Sequence, residues 1–284
     1  MPLASVIVPT RDRLASLRVA LGALERQQRA EPYELIVVDD GSTDGAGAFL
    51  AARAAQGAIV HVMSEGRGAA AARNAGIRRA RGEIIACTDD DCEVPRDWVA
   101  RLRDRLVQTG AAAVGGRVVA AADAARPARI SQAITNGIAR ALNDRGRSQF
   151  LTSNNVAYRA AALRAVGLFD EGFTGAGGED RDLHARLRAR GERLVYAADI
   201  VVAHHPRMSW SAFLRQQAAY GRGARRYYGR RDARAGERRR MGPGQYLRAF
   251  AAAVAEARPE DRAALALGLP LSQAAVAWGY LRAR

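Results

Sequence analysis

The sequence predicts an α/β protein built on a largely parallel sheet with helices on both faces. Apolar runs rich in β-branched residues recur at 5–8, 35–38, 59–62, 84–87 and 113–119, with helical stretches at about 13–28, 44–56, 69–80 and 96–108 between them. That alternation is the signature of βαβ units. Polar residues collect after the first four apolar runs: PTRDR, DDGSTD, SEGRG and TDDDC. In a parallel sheet those positions share the carboxyl edge, where ligands bind. A hydrophobic content of 49% over 284 residues is enough for a large core.

Each element has local support. Gly57, Gly82 and Gly110 sit where helices should end, and Pro95 sits near the start of the fourth helix. From 121 to 150 the pattern loosens. SNNVAY at 153–158 reads as a short strand and 160–166 as a short helix, followed by the glycine-rich GAGG. A helix is expected over 179–190, stopped by Gly191, then a strand at 193–197 that leads to His204, His205 and Pro206. Met1 runs directly into SVIVP, so no leader peptide is expected. Cys87 and Cys92 cannot make a disulfide framework; they read as free thiols in a reducing compartment.

The net charge is +15, and every basic residue is Arg. Residues 204–284 hold 16 Arg against 5 acids, a net of +11, whereas residues 1–203 net only +4. The basic part is the tail. Residues 207–231 carry seven Arg and no acid, interleaved with Trp210, Phe213, Tyr220, Tyr227 and Tyr228. No nucleic-acid motif accompanies them, and the expected partner of this amphipathic segment is an anionic membrane surface. Ala263 to Leu281 is 19 residues without a charge, and it is expected to be packed or interfacial rather than spanning.

The rim residues suggest chemistry. Asp89 and Asp91 stand two apart on what reads as an extended segment, so both could approach one hard cation such as Mg²⁺ or Mn²⁺. Three adjacent carboxylates repel one another, and a cation would relieve that. GRGAAAARNAGI at 66–77 opens a helix without bulk, a setting for an anion, with Arg73 and Asn74 one to two turns in. The same segment contains Gly66, Gly68 and Ala71 in a G-x-G-x-x-A pattern, so a nucleotide-binding oxidoreductase using an NAD-type cofactor is the rival reading. Asp40 could accept from a base or ribose donor, or DDGS could be only a helix-capping loop.

SVIVPTRDR, VVDDGSTD, GRGAAAARNAGI, IACTDDD, SNNVAYR, GLFDEGF, GGEDRDLHARLRARG and the His pair occur in the order seen in family 2 glycosyltransferases, which this chain resembles over about residues 3–206. The resemblance implies a GT-A fold with a Rossmann-like sheet, and an inverting, metal-dependent transfer from a nucleotide-sugar donor to an acceptor. It puts Pro9, Thr10 and Arg11 at the nucleoside, Asp40 at the base with Asp39 beside it, and Gly68, Arg73 and Asn74 along the nucleotide and diphosphate. Asp89 and Asp91 become the outer members of a D-x-D motif. Asp91 holds the metal most directly, and Asp89 or Asp90 meets the ribose or sugar. Of the two histidines, His205 is preferred to His204 as a further metal ligand. Asp180 is the general base, with Glu179 as its substitute, and Asn155 borders the acceptor.

The expected organisation is a catalytic domain over 1–206, with a nucleotide-sugar half to about 120 and an acceptor half after it, and a basic helical extension over 207–284. The expected donor is a UDP- or GDP-sugar and the acceptor a glycan or a lipid-linked molecule. The expected place is the cytoplasm, with a peripheral position on the inner membrane face as an option. A non-catalytic protein that keeps the sugar-nucleotide pocket is a further alternative.

Overall fold

The computed structural model describes residues 4–29, 32–143, 148–175, 177–229 and 241–283; Arg230 and Arg231 of the basic segment lie outside the described residues. Eight strands form one sheet in the order β3-β2-β1-β4-β7-β6-β8-β5. The first four in chain order are β1 (Ala4–Thr10), β2 (Glu34–Asp39), β3 (Val60–Met63) and β4 (Ile84–Cys87). Their pairings with one another are parallel. They are joined by α1 (Leu14–Glu25), α2 (Ala46–Ala55) and α3 (Ala69–Arg79). β1, β2 and β4 are buried on both faces and read as continuous apolar runs, which is why these elements were legible. Val6, Val8, Val37 and Leu21 belong to one core layer; Ile7, Ile36, Val38 and Ile77 belong to the other.

The second half departs from the parallel pattern. β5 (Cys92–Glu93), α4 (Trp98–Thr109), β6 (Ala113–Ala120) and α5 (Arg126–Leu142) come next. Then follow β7 (Val156–Arg159), α6 (Ala160–Ala165), α7 (Glu179–Ala189) and β8 (Leu194–His204). β7 inserts between β4 and β6, antiparallel to both. β8 runs parallel to β6 and antiparallel to β5. Helix α5 falls in the stretch where the sequence pattern loosened. Its Ile130 and Ile134 pack with Phe213, Ala253 and Leu265 of the C-terminal helices α8 (Trp210–Gly229), α9 (Pro243–Glu256) and α10 (Arg262–Arg282).

Asn155 was expected at the acceptor, but the structure places it in the core. The β6–β8 register shifts between Gly116 and Arg117. There the Asn155 amide donates to Arg117 O at 2.9 Å and to Ile200 O at 3.0 Å, while its oxygen accepts from Trp98 Nε1 at 2.9 Å. The side chain thus satisfies the backbone at a break in the ladder. Gly116 is required beside it, since a Cβ there would lie 2.1 Å from Ile200 O. Asn155→Ala leaves these buried groups unpaired and is expected to lower stability by about 3 kcal/mol. A urea titration with unchanged slope and lowered midpoint checks this.

Candidate active site

The loops after β1 and β2 are laced to each other. Asp44 accepts from Leu14 N at 2.7 Å and Ala46 N at 3.1 Å, so one carboxylate serves the first turn of two helices. Asp12 accepts from Thr43 N at 2.7 Å, and its own N–H donates to the Ser42 hydroxyl at 3.1 Å. Asp39 is buried and accepts from Ser42 N at 2.8 Å, which makes it the turn's support. Asp40 accepts from the Ser64 hydroxyl and from Gly68 N at 2.9 Å. Arg11 donates to Gly66 O at 3.2 Å. Pro9, Thr10, Arg11, Asp40 and Gly68 are therefore brought to one edge, as expected. Gly68 has φ +96°, and a Cβ there would lie 3.1 Å from Thr174 O, so the chain passes close only with glycine.

The acidic triplet is not extended. Cys92 N donates to Asp89 O at 3.2 Å, closing a turn that sends Asp89 and Asp91 to different partners. Asp89 accepts from Arg73 at 2.6 Å. Asp90, which is buried, accepts from the Thr10 hydroxyl at 2.7 Å and from Arg13 at 3.1 Å. Arg13 also donates to Asp91 Oδ2 at 2.8 Å. Burial pushes the Asp90 carboxyl up to about 6 against the pull of Arg13. For Asp91, burial is outweighed by the hydrogen bond and charge of His204 and by Arg13, and its carboxyl is held below the usual range. Arg13 was not singled out from the sequence; its place in PTRDR, three residues past the strand end, is the only signal it left.

On the other side Arg73 links the triplet to α7. It is buried, with NH2 on Asp89 and NH1 3.6 Å from Glu179 Oε1. Its Nε and NH1 and the Glu179 Oε2 are buried without a hydrogen-bond partner. Burial raises the Glu179 carboxyl's pKa, opposed mainly by Arg73. Asp180 follows at the helix start, where Arg181 N donates to its Oδ1 at 2.7 Å. Burial, then the neighbouring charge of Glu179, pushes Asp180 up to about 7. Tyr220 of α8 lies against this segment. A Cβ on Gly177 would sit 2.5 Å from its ring, and burial followed by the charges of Asp180, Glu179 and Asp89 raises its hydroxyl's pKa. Asn74 faces elsewhere and clamps Phe169 N and O and Glu171. Asp182 and Arg186 form an i,i+4 pair at 2.7 Å.

Of the two histidines, it is His204 and not the preferred His205 that lies against Asp91. His204 is the last residue of β8 and His205 follows it in extended chain, where neighbouring side chains point to opposite sides, so only one of the pair faces Asp91. His204 lies opposite Cys92 in the β5–β8 ladder, and its Nε2 lies 3.2 Å from Asp91 Oδ1. His205 turns to Glu93 at 3.3 Å and Asp123 at 3.6 Å, at the edge of a 530 Å³ cleft that α1 also lines. Among the described residues the donor atoms of Asp91, Cys92 and His204 lie within 4.8 Å of one another, and Asp89 is not in that group. Burial, with the nearby charges of Asp89 and Asp91, raises the Cys92 thiol well above its usual pKa. A protonated thiol is a poor ligand, and a hard oxygen-seeking ion does not favour sulfur.

Gln132 of α5 then decides the tautomer. Its amide nitrogen points to Val118 O and Asn136, so its oxygen faces His204 Nδ1 at 3.1 Å. Nδ1 must carry the hydrogen, and Nε2 turns a lone pair toward a carboxylate oxygen unless a cation or a second proton stands between them. The residues present fit a divalent ion held by Asp91 and His204. Gln132 was missed because it lies in the stretch without a readable pattern.

The sequence matches a known family. The family model described as glycosyl transferase family 2 matches residues 5–167. A pre-mycofactocin glycosyltransferase of Mycobacterium tuberculosis is 29% identical over 229 residues, which cover 76% of this chain but 46% of that protein. Glycosyltransferase AglE of Haloferax volcanii is 28% identical over 230 residues, 78% of this chain and 73% of that protein. This chain therefore spans about half the length of the first of these curated relatives. In fold, a mannosyltransferase from Pyrobaculum calidifontis, solved with GDP-Man and Mn²⁺, superposes with a TM-score of 0.65 at 20% identity, over 99% of this chain and 86% of that one. Staphylococcus aureus TarS 1–349 with UDP-GlcNAc gives 0.58 at 16% identity, over 98% and 89%. The chain belongs to glycosyl transferase family 2, and its fold is the GT-A fold.

Proposed function

We propose that the protein transfers a sugar from a UDP- or GDP-linked donor to an acceptor hydroxyl, with inversion, using Mn²⁺ or Mg²⁺. The observation that carries the metal part is the 3.2 Å approach of His204 Nε2 to Asp91 Oδ1, with Gln132 holding the ring from the Nδ1 side. Bound there, the ion would supply neutralisation of the charge developing on the leaving diphosphate. Asp91 Oδ1 and His204 Nε2 would hold it, with Arg13 keeping the other Asp91 oxygen in place. Pro9, Thr10, Arg11 and Asp40 line the nucleoside side. Arg73 ties Asp89 to Glu179, with NH2 2.6 Å from the first and NH1 3.6 Å from the second.

Asp180, with its pKa raised towards neutrality, takes the acceptor's hydroxyl proton. Asn154, whose Oδ1 is buried without a partner and whose carbonyl accepts from the Thr88 hydroxyl at 3.0 Å, replaces Asn155 as the acceptor contact. Catalysis falls to residues 1–206, with the donor half before about 120; 207–284 form the extension. The acceptor is a glycan or a lipid-linked molecule at the cytoplasmic side.

The NAD-type reading is disfavoured because the G-x-G-x-x-A segment follows β3, and its Gly68 N–H is already given to the Asp40 carboxylate. A melting experiment separates the two. A ligand at about a hundredfold its Kd stabilises by about 2.7 kcal/mol, a shift of several degrees. UDP or GDP is expected to give that shift only with Mn²⁺ or Mg²⁺ present. A shift by NAD that ignores the metal would instead support the oxidoreductase.

A further inference from the structure

We infer that α10 docks this protein in the plane of an anionic lipid bilayer, with the helix lying on the surface and not crossing it. The basic segment expected to touch the membrane turns most of its aromatics inward: Phe213 and Tyr227 are buried, and Tyr220 packs on Gly177. A row of exposed large apolar side chains lies on the next helix but one, α10. Leu267 is 73% exposed, Leu271 55%, Trp278 53% and Leu281 76%. With the exposed Ala274 between them they are spaced by four, three, four and three residues, which puts them in one stripe. Scattered apolar residues are ordinary on a surface, but a continuous stripe of large ones calls for a covering.

Charge identifies what covers it. α8 and α10 run side by side and parallel: Ser272 donates to Gln217 at 2.8 Å, and further along Gly221 faces Val276 O. Together the two helices contain six arginines and no acid. The Arg225 guanidinium lies 5.6 Å from the Tyr280 ring centre and that of Arg282 5.1 Å from Trp278, so cations border the stripe at its C-terminal end. Apolar side chains beside Trp and Arg suit the headgroup boundary of a negatively charged leaflet.

By length and composition 259–282 could cross a membrane. Its other side, however, is joined closely to α8: a Cβ on Gly279 would lie 2.0 Å from Ala218 O. A crossing helix would carry the α8 arginines toward hydrocarbon, which an in-plane helix avoids. The inference is independent of the transfer chemistry.

The test is sedimentation of the full chain with vesicles of phosphatidylcholine, with and without phosphatidylglycerol. Binding is expected only with the anionic lipid, to weaken in high salt, and to fall about tenfold or more in the Leu267→Glu, Leu271→Glu double variant. Both positions are exposed, and an unchanged near-UV circular dichroism spectrum shows that the variant is folded. Trp278→Ala is expected to remove the blue shift of tryptophan emission on vesicle addition. No pelleting, equal pelleting with neutral vesicles, or pelleting unchanged by the double variant overturns the inference. A dimer by light scattering that the double variant splits also overturns it, since the stripe would then bind a second copy.

Discussion

Asp180→Asn is expected to lower turnover by about a thousandfold while leaving the melting shift given by nucleoside diphosphate and Mn²⁺ intact. The amide keeps the size and the hydrogen bond from Arg181 N but cannot take a proton. The wild-type pH profile provides a second measurement. A base must be deprotonated to act, and burial with the Glu179 charge puts Asp180 at about 7. Single-turnover rates should therefore fall as pH drops through about 7 and level off above it. Turnover that survives the substitution would falsify the assignment of the base. A wild-type protein that binds donor and never turns it over, to acceptor or to water, would be the non-catalytic binder instead.

His204→Ala should weaken Mn²⁺ binding at least as much as the ten- to hundredfold typical of losing a ligand's supporting partner, and His205→Ala should leave it nearly unchanged. Paramagnetic resonance of Mn²⁺ titrated in the presence of UDP or GDP reads the affinity without relying on activity. The contrast is sharp because the two residues are neighbours of one type, and only strand alternation distinguishes them. Equal losses from both substitutions would mean that the ion sits away from Asp91 Oδ1, and that the 3.2 Å approach of His204 is an ordinary ion pair.

Much of the donor half was legible because its signals are local. β4 has the predicted bounds, 84–87, and α3 and β6 end within a residue of theirs. Buried parallel strands are written as apolar runs, and the loops after them gather at one edge by topology. The acceptor half was less legible. β7 enters antiparallel, and the isoleucines of α5 pack on Phe213, Ala253 and Leu265, which lie more than seventy residues away. No window of sequence contains that contact.

Residue type and position along the chain were enough to determine that carboxylates, an arginine and a histidine pair would meet at the edge of a mostly parallel sheet. Which members of each pair face that edge was decided only in three dimensions. The turn at Asp89 separates it from Asp91, the break in the β6–β8 ladder draws Asn155 inward, and Gln132 arrives from a distant helix to orient His204. A side chain's direction follows from register and from what packs against it, and both are properties of contacts between segments that the order of residues within one segment does not carry.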